Sequence, residues 1–320
     1  MPSQQLGKRQ VDVSKVILYW KIHENSCPKR RTPFMNDDSA LCLFKDAYNR
    51  GIDTWDITNC CSNGKSETLM GRALTEHQIP RTRAVIMTKL GIPSSIDVRC
   101  PVGTLRQLVL DAVEASLRRL KTQYIDVLKV HYIQRADPRV LMRVLNELVQ
   151  VGKVNYLCAS NMCCWQLAKL HYEAKMKDWA TFALSRGPYN LLYREGEREI
   201  YPFCKAEGIG LVAWDPLAEG LLIEQHSRIN ESPRYRWGVA QNERIVARLR
   251  EIARVRQWSM HTCAIAWVLR KKICVSVGMH DINNSAWEAV RVCMDLPGVT
   301  VLEEEYRYIP VHAVQPIEDE

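Results

Sequence analysis

Eight short, continuously apolar runs alternate along this chain with stretches of helical periodicity, and that alternation narrows the fold more than any other feature. The runs occupy 15–20, 52–56, 84–89, 126–131, 154–160, 181–185, 209–214 and 273–277. A strand with one wet face alternates apolar and polar residues. A run without that alternation suits a strand buried on both faces, as in a parallel sheet. Between the runs, apolar residues recur at helical spacing. In 103–121, Leu105, Leu108, Val109, Ala112, Val113, Leu117 and Leu120 make one stripe, which predicts a core-facing helix. The same pattern predicts helices over 37–50, 66–77, 138–151, 163–177, 194–207, 241–257, 260–271 and 283–294. Asn36 stands where it caps the first of these and Gly51 where it ends it; Gly152, Asp178 and Gly208 close others.

Eight strand-then-helix units in about 290 residues predict a (β/α)8 TIM barrel. The structural rival is a doubly wound sheet. No Gly-x-Gly-x-x-Gly follows the first run, which favours the barrel. A length of 320 residues suits one barrel domain spanning 1–320. The polar, proline-bearing stretch 223–239 reads as a long loop between the seventh strand and its helix.

Composition excludes several classes. With 47% hydrophobic and 25% charged residues, the chain has a globular balance rather than a disordered one. No apolar run reaches 18 residues, so no membrane span is expected, and residues 1–15 hold no apolar core of a signal peptide. The twelve cysteines form no Cys-x-x-Cys pair and no zinc-finger spacing, so no metal site is expected. Most lie in apolar surroundings such as 41–43, 157–159 and 273–275. They read as small buried hydrophobes in a reducing, cytoplasmic setting. The net charge of +8 is spread out apart from Lys29-Arg30-Arg31. It reads first as a solvated basic surface and second as a mild preference for anionic ligands; no nucleic-acid interface is expected.

In such barrels catalysis gathers at the carboxyl ends of the strands. The second run ends in Asp56, the third in Lys89 and the fourth in His131. The fifth ends in Ser160-Asn161, the sixth in Ser185-Arg186, the seventh in Trp214-Asp215, and the eighth runs into Gly278. Each has a plain structural reading: a turn-starting aspartate, a surface lysine, a satisfied core histidine. Three ionisable groups at matching ends of consecutive strands favour a site. A lysine beside an aspartate there would shift neighbouring acids, which is equipment for proton transfer.

At these residues the chain resembles the aldo-keto reductases. The segment from Gly51 through Asp56 and Cys61 to Gly64-Lys65-Ser66-Glu67 is similar to that family's second-strand signature, an Asp followed five residues later by a Tyr and then by Gly-x-Ser-Glu. Ile86-Met87-Thr88-Lys89 resembles the strand of the family's catalytic lysine, and 126–131 the strand of its histidine. Gly152-Lys153-Val154 through Ser160-Asn161 is similar to its carboxamide-binding segment. Stretches 189–195, 214–222 and 303–310 are similar to the fungal aryl-alcohol-dehydrogenase-like branch. The resemblance runs from about 12 to 315. It implies a barrel that binds NADP(H) in preference to NAD(H) and passes hydride to a carbonyl carbon. A tyrosine protonates the oxygen, a lysine paired with the aspartate lowers that tyrosine's pKa, and the histidine orients the substrate. Ser160, Asn161, Arg186, Trp214, Asp215, Leu217 and Gly278 are carried over as cofactor-binding positions. The implied partner is a small carbonyl or alcohol; the oligomeric state, monomer or homo-oligomer, is left open.

The pattern is broken at the tyrosine position, which is Cys61. A thiol is a weak hydrogen-bond donor with an ordinary pKa of about 8.5, against about 10 for tyrosine. Losing a general acid costs roughly 10²–10⁴ in rate. A thiolate formed beside Lys89 has no proton to give. Arg186 stands for the carboxamide-binding glutamine, and Asp215 for a serine expected near the phosphates, which its charge would repel. After the eighth strand, Met279-His280-Asp281 replaces a phosphate-gripping cation. Three functions follow. The first is a carbonyl–alcohol oxidoreductase acting on an aryl or polycyclic natural product, with His131 or a water as proton donor. The second is a catalytically impaired barrel acting as a binding or regulatory protein. The third is cysteine chemistry at Cys61.

Overall fold

Eight parallel strands close on themselves in this computed structural model. It describes residues 1–20, 37–58, 64–91, 102–134, 136–224, 235, 238–278, 284–292 and 299–309. The barrel strands are β3 (Val16–Trp20), β4 (Thr54–Ile57), β5 (Val85–Lys89), β6 (Ile125–Val130), β7 (Val154–Ser160), β8 (Phe182–Pro188), β9 (Gly210–Trp214) and β10 (Cys274–Gly278). They run in sequence order, with β10 closing against β3. Around them lie α1 (Asp37–Asn49), α2 (Lys65–Glu76), α3 (Val102–Leu120), α4 (Pro138–Gln150), α5 (Cys164–Met176), α6 (Ile200–Glu207), α7 (Val239–Arg256), α8 (Met260–Arg270) and α9 (Asn284–Val292). The predicted TIM barrel is therefore the observed fold.

The apolar runs are continuous because both faces of each strand are buried. Outward residues such as Trp55, Ile57, Ile86, Leu128 and Val130 pack with helix residues such as Phe44, Leu69 and Leu145. Inward residues Ile17, Met87, Val127, Cys158, Val212 and Cys274 form a separate apolar plug. At about 25 cal/mol per Å² removed from water, such burial is the main favourable term in folding.

Three features depart from the sequence expectation. The amino terminus forms an antiparallel hairpin, β1 (Ser3–Leu6) with β2 (Val11–Ser14). Leu6, Val11 and Val13 cover the lower end of the plug. Its turn needs Gly7, at φ +67°, because a Cβ there would stand 2.6 Å from the carbonyl oxygen of Gly208. Second, the helix expected over 194–207 is shortened to α6. Arg194 and Glu195 are taken by a tertiary contact instead: the Tyr306 hydroxyl donates to Glu195 and accepts from the Arg194 amide. Third, a short helix, α10 (Val299–Glu304), follows α9. Asn36 and most of the 223–239 loop lie outside the described residues.

Candidate active site

The interior of the barrel is built in layers. Above the apolar plug, every second strand contributes one polar side chain at a common level: Asp56 from β4, Lys129 from β6, Arg186 from β8 and Ser276 from β10. Layers fed by alternate strands are the packing rule of this barrel, but bulky apolar residues usually fill them. Asp56 Oδ1 accepts from Lys129 Nζ. Asp56 Oδ2 accepts from Arg186 Nε at 2.6 Å and from the Ser276 hydroxyl at 2.9 Å. Lys129 also donates to the Ile57 carbonyl at 2.8 Å. All four side chains are buried. A charge taken out of water persists only when its partners replace the lost hydration. Burial alone would push the Asp56 carboxyl up, but Arg186 and Lys129 outweigh it and hold it below the usual carboxylate range. Burial lowers the pKa of Lys129, and Asp56 opposes that shift.

This corrects the expectation that Asp56 pairs with Lys89. Met87 is the β5 residue in register with Asp56, and Lys89, two residues further along β5, is in register with Lys129. Both oxygens of Asp56 are engaged by Lys129, Arg186 and Ser276. The sequence reading missed Lys129; the signal was its inward parity with Val127 and His131, since an inward cation in an apolar strand needs a counter-charge.

His131 follows β6, two residues beyond Lys129. Its pKa is pushed down to about 3, first by burial and then by Lys89, Lys129 and Arg186. It is a neutral imidazole near pH 7. In that form it can hydrogen-bond a substrate oxygen. Lys89 is held in place from outside the barrel. Its neighbour Thr88 donates to buried Glu67 at 2.6 Å, and Glu67 accepts from Arg119 Nε at 2.7 Å. That clamp ties β5 to α2 and α3.

The remaining strand ends are cross-linked. Asn161 sits at φ +52°, a conformation asparagine tolerates better than most residues. Its amide donates to the Arg186 carbonyl at 2.9 Å, and its side-chain oxygen accepts from the Trp214 indole at 2.8 Å. Ser160 beside it is buried. The Arg186 guanidinium lies 5.3 Å from the Tyr19 ring centroid and 5.9 Å from that of Trp214. Asp215 also has positive φ, and its carboxylate accepts from the Glu219 amide and the Tyr235 hydroxyl, both at 2.6 Å. Asp215 thus shapes a turn and holds the Tyr235 hydroxyl, a role the sequence did not disclose. Leu217 is buried in that turn, and Gly278 ends β10. Cys60, Cys61, Met279, His280 and Asp281 lie outside the described residues.

The polar groups of Ser160 and Asn161, beside an indole whose position Asn161 fixes, fit the amide and ring of a nicotinamide. Among the described residues no group of His, Cys, Asp and Glu side chains is arranged to hold a metal ion, and no helix is long and apolar enough to cross a membrane.

Comparison with known proteins agrees with this geometry. The family model described as "Aldo/keto reductase family" matches residues 28–294. An aldo-keto reductase of Alternaria alternata is 35% identical over 96% of this chain and 90% of its own length. A putative aryl-alcohol dehydrogenase of Schizosaccharomyces pombe is 34% identical over 96% of both chains. The versiconal hemiacetal acetate reductase of Aspergillus parasiticus is 34% identical over 98% of this chain and 99% of its own.

Proposed function

This chain belongs to the aldo/keto reductase family, and from that premise we propose that it is an NADP(H)-dependent oxidoreductase interconverting a carbonyl and an alcohol on an aryl or polycyclic small molecule. The observation that carries the reading is the pairing of a neutral His131 with the Lys89 cation at adjacent strand ends, above an ionised Asp56. The bound cofactor supplies hydride. Everything else falls to the protein. The Trp214 ring, fixed by Asn161, supports the nicotinamide, and Ser160 and Asn161 hold its amide. Arg186, Asp215, Leu217 and Gly278 complete that wall. Neutral His131 donates a hydrogen bond to the substrate oxygen. Lys89 supplies positive charge where an alkoxide develops, which is the dominant form of stabilisation for such a centre. With Cys61 at the position of the family's tyrosine, the alkoxide takes its proton from water rather than from a phenol.

The names of the relatives support turnover over a purely binding role, and two of them motivate the substrate class: one is named for an aryl alcohol, another for a hemiacetal acetate. The test is a titration of NADPH and NADH followed by tryptophan quenching, paired with a panel of aryl and aliphatic aldehydes. Binding of NADPH with aldehyde-dependent oxidation is expected. NADPH binding without oxidation across the panel overturns the catalytic reading. A gain of activity in Cys61→Tyr supports the assignment of that position.

A further inference from the structure

The net charge of +8 is gathered at one end of the fold. In a barrel of parallel strands, every helix-to-strand connection falls where the strands begin, opposite the mouth. Seven such connections are described: 50–53, 77–84, 121–124, 151–153, 177–181, 208–209 and 271–273. Six of them carry at least one Lys or Arg, and the last turn of α6 supplies Lys205 beside the seventh. The β1–β2 turn folds over the same end and adds Lys8 and Arg9. The connections and this turn hold ten Lys and Arg against two acids, Asp53 and Asp178, a surplus equal to that of the whole chain. We propose that this floor of the barrel docks on an anionic lipid membrane, with the active-site mouth turned away toward water. The proposal does not depend on the redox chemistry at the mouth.

Three observations carry it. The first is that the charge is available. Arg81, Lys153 and Lys271 are taken by Asp126, Glu114 and Glu303. Lys8, Arg9, Arg83, Lys121, Lys177 and Lys272 are exposed and make no ion pair among the described residues. Of the two acids, Asp53 accepts from the Ser14 hydroxyl at 2.7 Å. The second is that fold stability does not explain the placement. Cations answer the negative ends of helix dipoles only within the last turn. That accounts for Lys121 and Lys177, beside the ends of α3 and α5, but not for Lys8 and Arg9 on a hairpin or Arg83 just before β5. The third is the company these cations keep. Val151, 67% exposed, follows α4, and Met176, 71% exposed, ends α5 next to Lys177. Apolar side chains standing among lysines suit the headgroup boundary, where apolar burial adds to the attraction of anionic lipid. The exposed aromatics Trp165, Tyr172 and Tyr308 lie outside these segments, so the floor offers no stacking platform for the bases of a nucleic acid. Among the described residues no helix is long and apolar enough to cross a membrane, so the contact is peripheral.

The test is co-sedimentation of the full chain with phosphatidylcholine vesicles that contain or lack phosphatidylserine, at low and high salt. Binding is expected only with phosphatidylserine, and salt should weaken it. Each cation brought to such a surface strengthens partition about 5-fold. A variant carrying Lys8→Gln, Arg83→Gln and Lys177→Gln should therefore bind on the order of 100-fold more weakly. A control removes the same charge from exposed positions off the floor, by Arg139→Gln, Lys169→Gln and Arg254→Gln on α4, α5 and α7. It should keep most of the binding. Equal losses in the two variants overturn the proposal, because net charge and not the floor would then set the affinity. Equal binding to both kinds of vesicle overturns it as well. So does the absence of binding to phosphatidylserine vesicles; retention on duplex RNA or polyglutamate in that case gives the surface to another anionic partner. Should the floor variant fail to fold, the wild-type dependence on phosphatidylserine together with the control variant decides.

Discussion

Arg186 Nε lies 2.6 Å from Asp56 Oδ2 across the inside of the barrel, joining residues 130 positions apart in the chain. Removing one partner of a buried pair costs about 3–5 kcal/mol, because the other charge is left buried. Lys129 stays with Asp56 when Arg186 is lost, so Arg186→Met should cost toward the lower end, about 3 kcal/mol. Asp56→Ala, which strands two cations, should cost more. Urea midpoints of the two variants check the order, and equal midpoints would refute the shared role of Lys129.

The same layer sets an acid response. The pKa of Asp56 is lowered in the fold, so its stabilisation is present above the unfolded value of about 3.9 and is lost as pH falls through the lower folded value. The pKa of Lys129 is also lowered, so the unfolded chain binds the extra proton and stability rises with pH as the alkaline limb is approached. By its direction, Asp56 does not titrate between pH 5 and 8. Asp56→Asn should flatten the acid limb of a stability–pH curve; an unchanged limb removes Asp56 from it.

His131 gives the next prediction. With its pKa pushed down to about 3, it carries no charge across pH 5–8. The kcat/KM profile should therefore show no inflection near 6.5 that His131→Gln abolishes. For folding, the depressed value means the unfolded chain binds the extra proton between about pH 3 and 6.5, so stability rises with pH through that window and is lost below it. A histidine ring resonance titrating near 6.5 and assigned to His131 would contradict both statements.

Asn161 joins three strand ends, and its removal should be felt at a distance. Asn161→Ala loses the bond to the Trp214 indole and places alanine at φ +52°. Together these should cost about 2 kcal/mol. Without that bond, Trp214 should show a red-shifted emission, and NADPH should bind more weakly. Unchanged emission with unchanged affinity would show that Asn161 does not position the ring.

The order of strands was legible because burial on both faces writes itself into continuous apolar runs. The run 154–160 coincides with β7 end to end, and the others differ from their strands by one to three residues at one or both ends. Asp56, Lys89 and His131 were legible because ionisable residues at the ends of such runs have few idle explanations. The partner of Asp56 was not. Lys129 lies inside an apolar run, and a period-of-two reading places it inward without saying which carboxylate, on a strand 73 residues away, it meets. Nor was the hairpin β1–β2: four-residue strands carry too little pattern to stand out, and only the open lower end of a barrel gives Leu6, Val11 and Val13 something to cover.

The buried carboxylate outside the barrel wall makes the last test of how Lys89 is placed. Glu67 bridges the Thr88 hydroxyl, at 2.6 Å, and Arg119, at 2.7 Å, and it is fully buried. Arg119 in turn closes over Gly64, where a Cβ would stand 2.4 Å from its Cδ. Glu67 thus fixes both the strand that carries Lys89 and the point at which the segment bearing Cys61 rejoins α2. Glu67→Gln keeps the shape and one hydrogen bond but loses the charge, and should cost about 1–3 kcal/mol. Its effect on activity should fall on kcat rather than KM, because the groups that bind substrate remain while the position of the Lys89 charge drifts. Glu67→Ala should lower kcat further. A variant in which thermal stability drops while kcat is unchanged would limit Glu67 to packing and leave the placement of Lys89 to its own strand.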